Sequence, residues 1–183
     1  MLTAGSIADS SCQIRAYIKF IRKTNDMFND ILNYLPYKSS FLFIDNISAL
    51  DMNRVTGDYT LRKDAFFYED HFVNNPVTPG VIITEIMAQI GLVVLGIHLI
   101  ISENKEAGVA IRKESFPLLT ATHVSFFKMV LPGEKVIVTS QKQYFRFGKL
   151  KCLIEMYNSA GELVAKGMFS GIIKNAVIKN KVE

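Results

Sequence analysis

The chain has 183 residues, 49% hydrophobic and 21% charged, which is enough for one domain with a real core and excludes a disordered chain. Lys and Arg number 21 against 17 Asp and Glu, a net charge of +4, too small a surplus to argue for nucleic acid as a partner. Cys12 and Cys152 lie far apart with no C-x-x-C spacing, which rules out a disulfide scaffold or zinc finger and fits a reducing cytoplasm.

Residues 1–26 differ from the rest of the chain. They lack the basic and apolar regions of a secretory signal, and Ile14, Tyr17, Ile18 and Ile21 fall at helical spacing with Arg15, Lys19 and Arg22 on another face. Met27 then opens a short amphipathic segment carrying Phe28, Ile31, Leu32 and Leu35, stopped near Pro36. This pattern reads as an extension over 1–26, with Met27 as a candidate natural start, ahead of one domain over 27–183. The charge divides the same way. Residues 1–26 hold four Lys or Arg against two Asp, and 174–183 hold three Lys against one Glu, so the body between is neutral.

After Pro36, residues 41–48 read as a buried strand and Arg54 to Leu61 as an alternating one. An aromatic and acidic loop, Ala65 to Asp70, leads to a helix expected over 79–102. That helix is long enough to span a bilayer, but Glu85, Gln89 and His98 interrupt it, and it reads better as a buried central helix than as a membrane span. Gly91 and Gly96 are read as points of close packing. Further strands are predicted at Val109–Arg112, Ala121–Lys128, Lys135–Phe145, Leu150–Tyr157 and Leu163–Ile173, with turns at Pro132-Gly133, Phe147-Gly148 and Ser159-Ala160-Gly161. The expectation is an α+β fold, an antiparallel sheet wrapped around one long apolar helix. One small sheet does not cover such a helix on all sides, so a second copy is expected to complete it.

The residues that carry chemistry fall between His71 and Gln89. In Thr78-Pro79-Gly80, Thr78 is a plausible N-cap and Pro79 suits the first helical position. Gly80, without a side chain, lets a ligand approach the first-turn N–H groups, whose dipoles favour negative charge developing on a thioester oxygen. Glu85 follows on an otherwise apolar helix, where burial would favour the protonated form and suit a proton donor. His71 precedes the turn and, as an imidazole, is of the residue type that takes and gives protons as a general base. A base, an oxyanion donor and an acid are what elimination of water from a 3-hydroxyacyl thioester requires. Metal-ligand spacing and Gly-rich phosphate loops are absent from the sequence, so no metal or nucleotide is expected. His98 is about 220° round the helix from Glu85 and, like His123, reads as a core or interface residue.

Four blocks resemble one family, the 3-hydroxyacyl-[acyl-carrier-protein] dehydratases of the FabZ type. They are Leu35-Pro36-Tyr37 through Asp45, His71 through Val81, Glu85-Ile86-Met87-Ala88-Gln89, and Phe126 through Glu134, and the resemblance runs from about residue 28 to 174. It implies a hotdog fold, with subunits paired so that two sheets become continuous. It also implies composite active sites in which His71 is the base and Glu85 of the other copy the acid. The Gly80 N–H would polarise the carbonyl, and Gln89, one turn after Glu85, would hold its neighbour. Phe67 and Met87 are candidates for the lining of an acyl tunnel. The resemblance further implies an acyl carrier protein as partner, a homodimer open to assembly into a hexamer, and no cofactor beyond the substrate's phosphopantetheine. Lys142, Arg146, Lys149 and Lys151 are candidate contacts for an acidic carrier.

Three positions depart from the family pattern: Asp70 for Gly, Val73 for Pro, and Ser40 for Pro. A carboxylate turned toward His71 would favour its protonated form and weaken a base, so Asp70 is expected to face outward with Glu69. Two alternatives stay open on the residues alone, a hotdog acyl thioesterase and a non-catalytic acyl-binding subunit.

Overall fold

The long apolar segment needs apolar cover along its whole length, and the strands supply it. The computed structural model describes residue 31, residues 34–106 and residues 115–175. The helix runs as α1 (Gly80–Ala88), a π-helical segment (Gln89–Val94) and α2 (Leu95–Glu106). Around it lie six strands: β1 (Asn46–Leu50), β2 (Arg54–Thr60), β3 (Ser115–Phe126), β4 (Lys135–Arg146), β5 (Lys149–Asn158) and β6 (Leu163–Asn175). They form one antiparallel sheet in the order β1-β2-β4-β5-β6-β3.

The alternation of the strand sequences decides which face meets the helix. Val136 and Val138 of β4, Cys152, Ile154 and Met156 of β5 and Phe169 of β6 are all fully buried, as are Ile86, Met87, Ile90 and Leu95 on the helix. Cys152 is a buried free thiol. The stretch Gly80–Glu103 is long and apolar enough to cross a membrane by length and composition, but 78% of its apolar window is buried inside the fold. It is the core helix.

Close helix–sheet approach depends on Gly91. A Cβ there would lie 2.5 Å from Ile154 Cδ1 and 2.8 Å from its Cγ2. Gly91→Ala gains up to roughly 1 kcal/mol of helix propensity, but overpacking at this fully buried contact costs about 1–3 kcal/mol. The expected outcome is a lower melting temperature, with recovery in Gly91→Ala/Ile154→Val. Equal melting curves for the wild type and the single variant would show that the sheet yields freely at this point.

Three predicted boundaries move. Residues 41–48 are not one strand: Ser39–Phe41 form a 3-10 turn, Leu42–Ile44 run extended without a strand partner, and β1 begins at Asn46. The backbone of Phe41 and Phe43 is bonded to a side chain, Gln89, instead of to a neighbouring strand. β3 starts at Ser115 rather than Ala121, and Pro117 is tolerated within it because β3 is an edge strand that pairs, among the described residues, only with β6. The N-cap of α1 is Pro79, with Gly80 the first helical residue; Thr78 is engaged elsewhere. The predicted strand at Val109–Arg112, and the readings of residues 1–26 and of Met27 as a start, lie outside the described residues.

Candidate active site

His71 sits half-buried in the turn that precedes α1. Its Nδ1 lies 2.9 Å from the Val77 carbonyl, which only accepts hydrogen bonds, so Nδ1 carries the hydrogen, and in the neutral ring Nε2 is the nitrogen with the lone pair. The backbone closes the same loop from the other side, with Val77 N–H donating to the His71 carbonyl at 3.3 Å. The His71–Phe72 peptide bond is cis, and the Phe72 ring lies 4.2 Å from the imidazole, centroid to centroid. Asp70 is exposed together with Glu69, and Val73 is exposed as well.

Thr78 buries its hydroxyl 2.6 Å from that of Tyr68, and its N–H donates to Val130. This clamps the turn to the β3–β4 connection and sets the entry angle of α1. Burial raises the Tyr68 phenol, opposed by the bond to Thr78. Gly80 then exposes the start of the helix: Ile82 and Ile83 N–H both donate to the Pro79 carbonyl, so Gly80 and Val81 are the first-turn N–H groups left without an intrahelical acceptor. The Phe126 ring stands 3.4 Å from the position a Gly80 Cβ would take, over an open cavity lined also by Thr78, Ile83 and Lys128.

Glu85 faces a different cavity. It is only half-buried, less than the apolar surroundings in the sequence implied, because it lines a space of about 210 Å³ between the helix, β3 and β6. Among the described lining residues, only Tyr37 and Glu85 have polar side chains; Leu92, Val93, Leu118 and Leu150 are among the rest. The Tyr37 phenol is pushed up to about 12 by burial first and by the charge of Glu85 second, so it remains an O–H donor at neutral pH.

Gln89 is fully buried and ties these parts together. Its Oε1 accepts from the Phe43 N–H at 2.9 Å, while Nε2 donates to the Phe41 carbonyl at 2.9 Å and to Glu85 Oε1 at 2.8 Å. One amide therefore holds the carboxyl and the chain segment that carries Tyr37.

His71 and Glu85 are not brought together within one chain. Gly80 and Glu85 are five residues apart, about 140° round the helix, so the first-turn N–H groups and the carboxyl open on different sides. No hydrogen bond or ion pair joins His71 to Glu85 among the described residues. Phe67 and Met87, the tunnel candidates, are both core residues, Met87 fully buried, and neither is among the described residues that line the Glu85 cavity. Met87 is two residues from Glu85, about 200° round the helix, and is buried in the hydrophobic core instead. Tyr37 is a site residue that sequence reasoning missed, although it stands in the Leu35-Pro36-Tyr37 block. His123 is exposed on β3, and His98 is half-buried on α2. Of the hairpin cations, Lys142 donates to the Met52 carbonyl, Arg146 lies over the Phe147 ring at 4.8 Å, and Lys149 and Lys151 are exposed.

A long apolar helix wrapped by an antiparallel sheet is the hotdog fold, and solved structures share it. The dehydratase heterocomplex ApeI:P from Xenorhabdus doucetiae matches with a TM-score of 0.63 at 16% identity, over 79% of this chain and 91% of that one. The Streptococcus mutans UA159 protein smu.793, bound to acetyl CoA, matches with a TM-score of 0.52 at 13% identity, over 77% and 96%. A FabA-like domain matches residues 35–157, and the chain belongs to that family. It is similar to the 3-hydroxyacyl-[acyl-carrier-protein] dehydratase FabZ of Rickettsia africae (strain ESF-5), 27% identical over 149 residues, or 80% of this chain and 94% of the relative. The FabZ of Rickettsia bellii (strain RML369-C) is similar to the same extent.

Proposed function

We propose that this protein removes water from 3-hydroxyacyl thioesters carried on acyl carrier protein, giving trans-2-enoyl thioesters in fatty-acid-like synthesis. The observation that carries the reading is Glu85, held by the Gln89 amide at 2.8 Å inside an apolar cavity. It is the arrangement of a proton donor that meets an acyl chain and not bulk water. The relatives named FabZ support the same chemistry.

His71 is the base. With Nδ1 committed to the Val77 carbonyl, Nε2 takes the α-proton of the thioester, and the Gly80 N–H stabilises the charge that gathers on the thioester oxygen. The electron pair forms the new double bond as the C3–O bond breaks. Glu85 gives its proton to the departing oxygen, which leaves as water. The pantetheine arm of the substrate brings the thioester, and these steps call on no other group.

The acting unit is a dimer in which His71 and Gly80 of one copy face Glu85 of the other. Two features support it. The 140° between Gly80 and Glu85 separates the two halves of the chemistry within one chain. Among the described residues the twelve-residue strand β3 is an edge strand with Leu118, Leu119 and Phe126 exposed, an arrangement that soluble proteins cover. Exposed Lys149 and Lys151 offer the acidic carrier a local basic contact.

The test is incubation with 3-hydroxyacyl-acyl-carrier-protein substrates of several chain lengths, read by mass spectrometry. Loss of one water from the acyl group is expected. Release of free thiol without water loss would assign the site to hydrolysis, and binding without any turnover would make the protein an acyl-binding subunit.

A further inference from the structure

We propose that Tyr37 is a second hydrogen-bond donor to the substrate, its phenol O–H directed to the oxygen on C3 of the acyl chain, beside the Glu85 carboxyl. The inference rests on the dehydratase reading above and names a residue that reading does not use. Its ground is the cavity itself. Among the described lining residues Tyr37 and Glu85 alone carry polar side chains, in a space otherwise built of aliphatic groups. Beyond the thioester, a saturated acyl chain offers nothing for a phenol to bind. A 3-hydroxyacyl chain adds one polar atom there, and the acid of the reaction has to reach that same atom.

The surroundings hold Tyr37 in place. Its ring meets that of Phe41 at 6.2 Å between centroids, and it packs against the core. The carbonyl of Phe41 and the N–H of Phe43 are bound to the Gln89 amide that also holds Glu85. The spacing of phenol and carboxyl is therefore set by one buried side chain, not by a mobile loop. Burial, the larger cause, keeps the phenol protonated at neutral pH even when Glu85 carries its proton, as a donor requires.

During elimination the C3–O bond breaks and the oxygen gathers negative charge. Glu85 transfers a proton to it, and the Tyr37 O–H stabilises it by hydrogen bonding while keeping its own proton. The α-proton goes to His71 Nε2 and the electron pair becomes the Cα=C3 double bond, so the balance of the reaction is unchanged by Tyr37.

Tyr37→Phe keeps the ring and removes only the hydroxyl, so the fold is expected to persist with an unchanged melting curve. The expected result is a fall in kcat of roughly 10- to 100-fold, the scale of one lost donor to a developing oxyanion or somewhat less. Binding provides the second measurement. The variant should lose about 10-fold affinity for a 3-hydroxyoctanoyl-carrier protein held unreacted in a Glu85→Gln background, one hydrogen bond's worth, and none for the octanoyl-carrier protein that lacks the oxygen. Wild-type turnover by Tyr37→Phe, or equal losses for both ligands, would overturn the proposal, the latter marking Tyr37 as a packing residue. A wild type that discriminates the two ligands through Tyr37 yet forms no enoyl product would remove the dehydration reading and leave the Tyr37 contact standing.

Discussion

His71→Ala and Glu85→Gln should each lower the rate of enoyl formation by about 10²- to 10⁴-fold, the range for removing a general acid or base. Neither change should unfold the chain, because His71 is half-buried at a turn and Glu85 lines a cavity. Glu85→Gln keeps the volume and polarity of the side chain, so its loss isolates proton donation. The decisive experiment combines the two dead variants. If each site takes His71 from one copy and Glu85 from the other, a mixed dimer holds one intact site and one doubly defective one. Random exchange of equal amounts makes about half the dimers mixed, so about one quarter of wild-type activity should return. A site confined to one chain would return none. Near-normal rates in either single variant would remove the acid–base assignment altogether.

The sequence makes the architecture readable because its two periodicities are strong. The run from Gly80 to Glu103 has only Glu85, His98 and its last residue as ionisable interruptions, and β2, β5 and the first half of β4 alternate buried and open positions. What was not readable depends on partners far away in the chain. Phe41-Leu42-Phe43-Ile44 is an apolar run that periodicity cannot tell from a strand; its backbone groups are taken by Gln89, 46 and 48 residues away. Thr78 looks like an N-cap from its neighbours alone, but Tyr68 draws its hydroxyl aside. Met87 and Glu85 are close in sequence, yet the helix turns them to different sides, one into the core and one into the cavity. The Tyr37 phenol reaches that cavity only because the 3-10 turn over Ser39–Phe41 folds the segment back onto the helix. The four-residue step from Glu85 to Gln89 is local, by contrast, and their bond of 2.8 Å follows from ordinary helical geometry.

Gln89 is where stability and chemistry meet, and its substitution should damage both. Gln89→Leu puts an apolar side chain of similar size in a fully buried position and removes three hydrogen bonds at once. The Phe43 N–H is left buried without a partner, a cost of about 1–3 kcal/mol, and the Phe41 carbonyl, nearer the surface, adds less. A total of about 2–4 kcal/mol should lower the melting temperature by roughly 5–15 °C for a chain of this size. Glu85 loses its anchor in the same step, so kcat should fall about 10-fold or more even well below the melting temperature. Gln89→Glu tests the donor specifically. Its oxygen still accepts from Phe43, but the donor is replaced by an oxygen facing both Glu85 and the Phe41 carbonyl in a fully buried position. That variant should melt no higher than Gln89→Leu and be at least as poor a catalyst. If Gln89→Leu melts like wild type, the buried amide does not hold the Phe41–Phe43 segment; if Gln89→Glu turns over like wild type, it does not orient the acid.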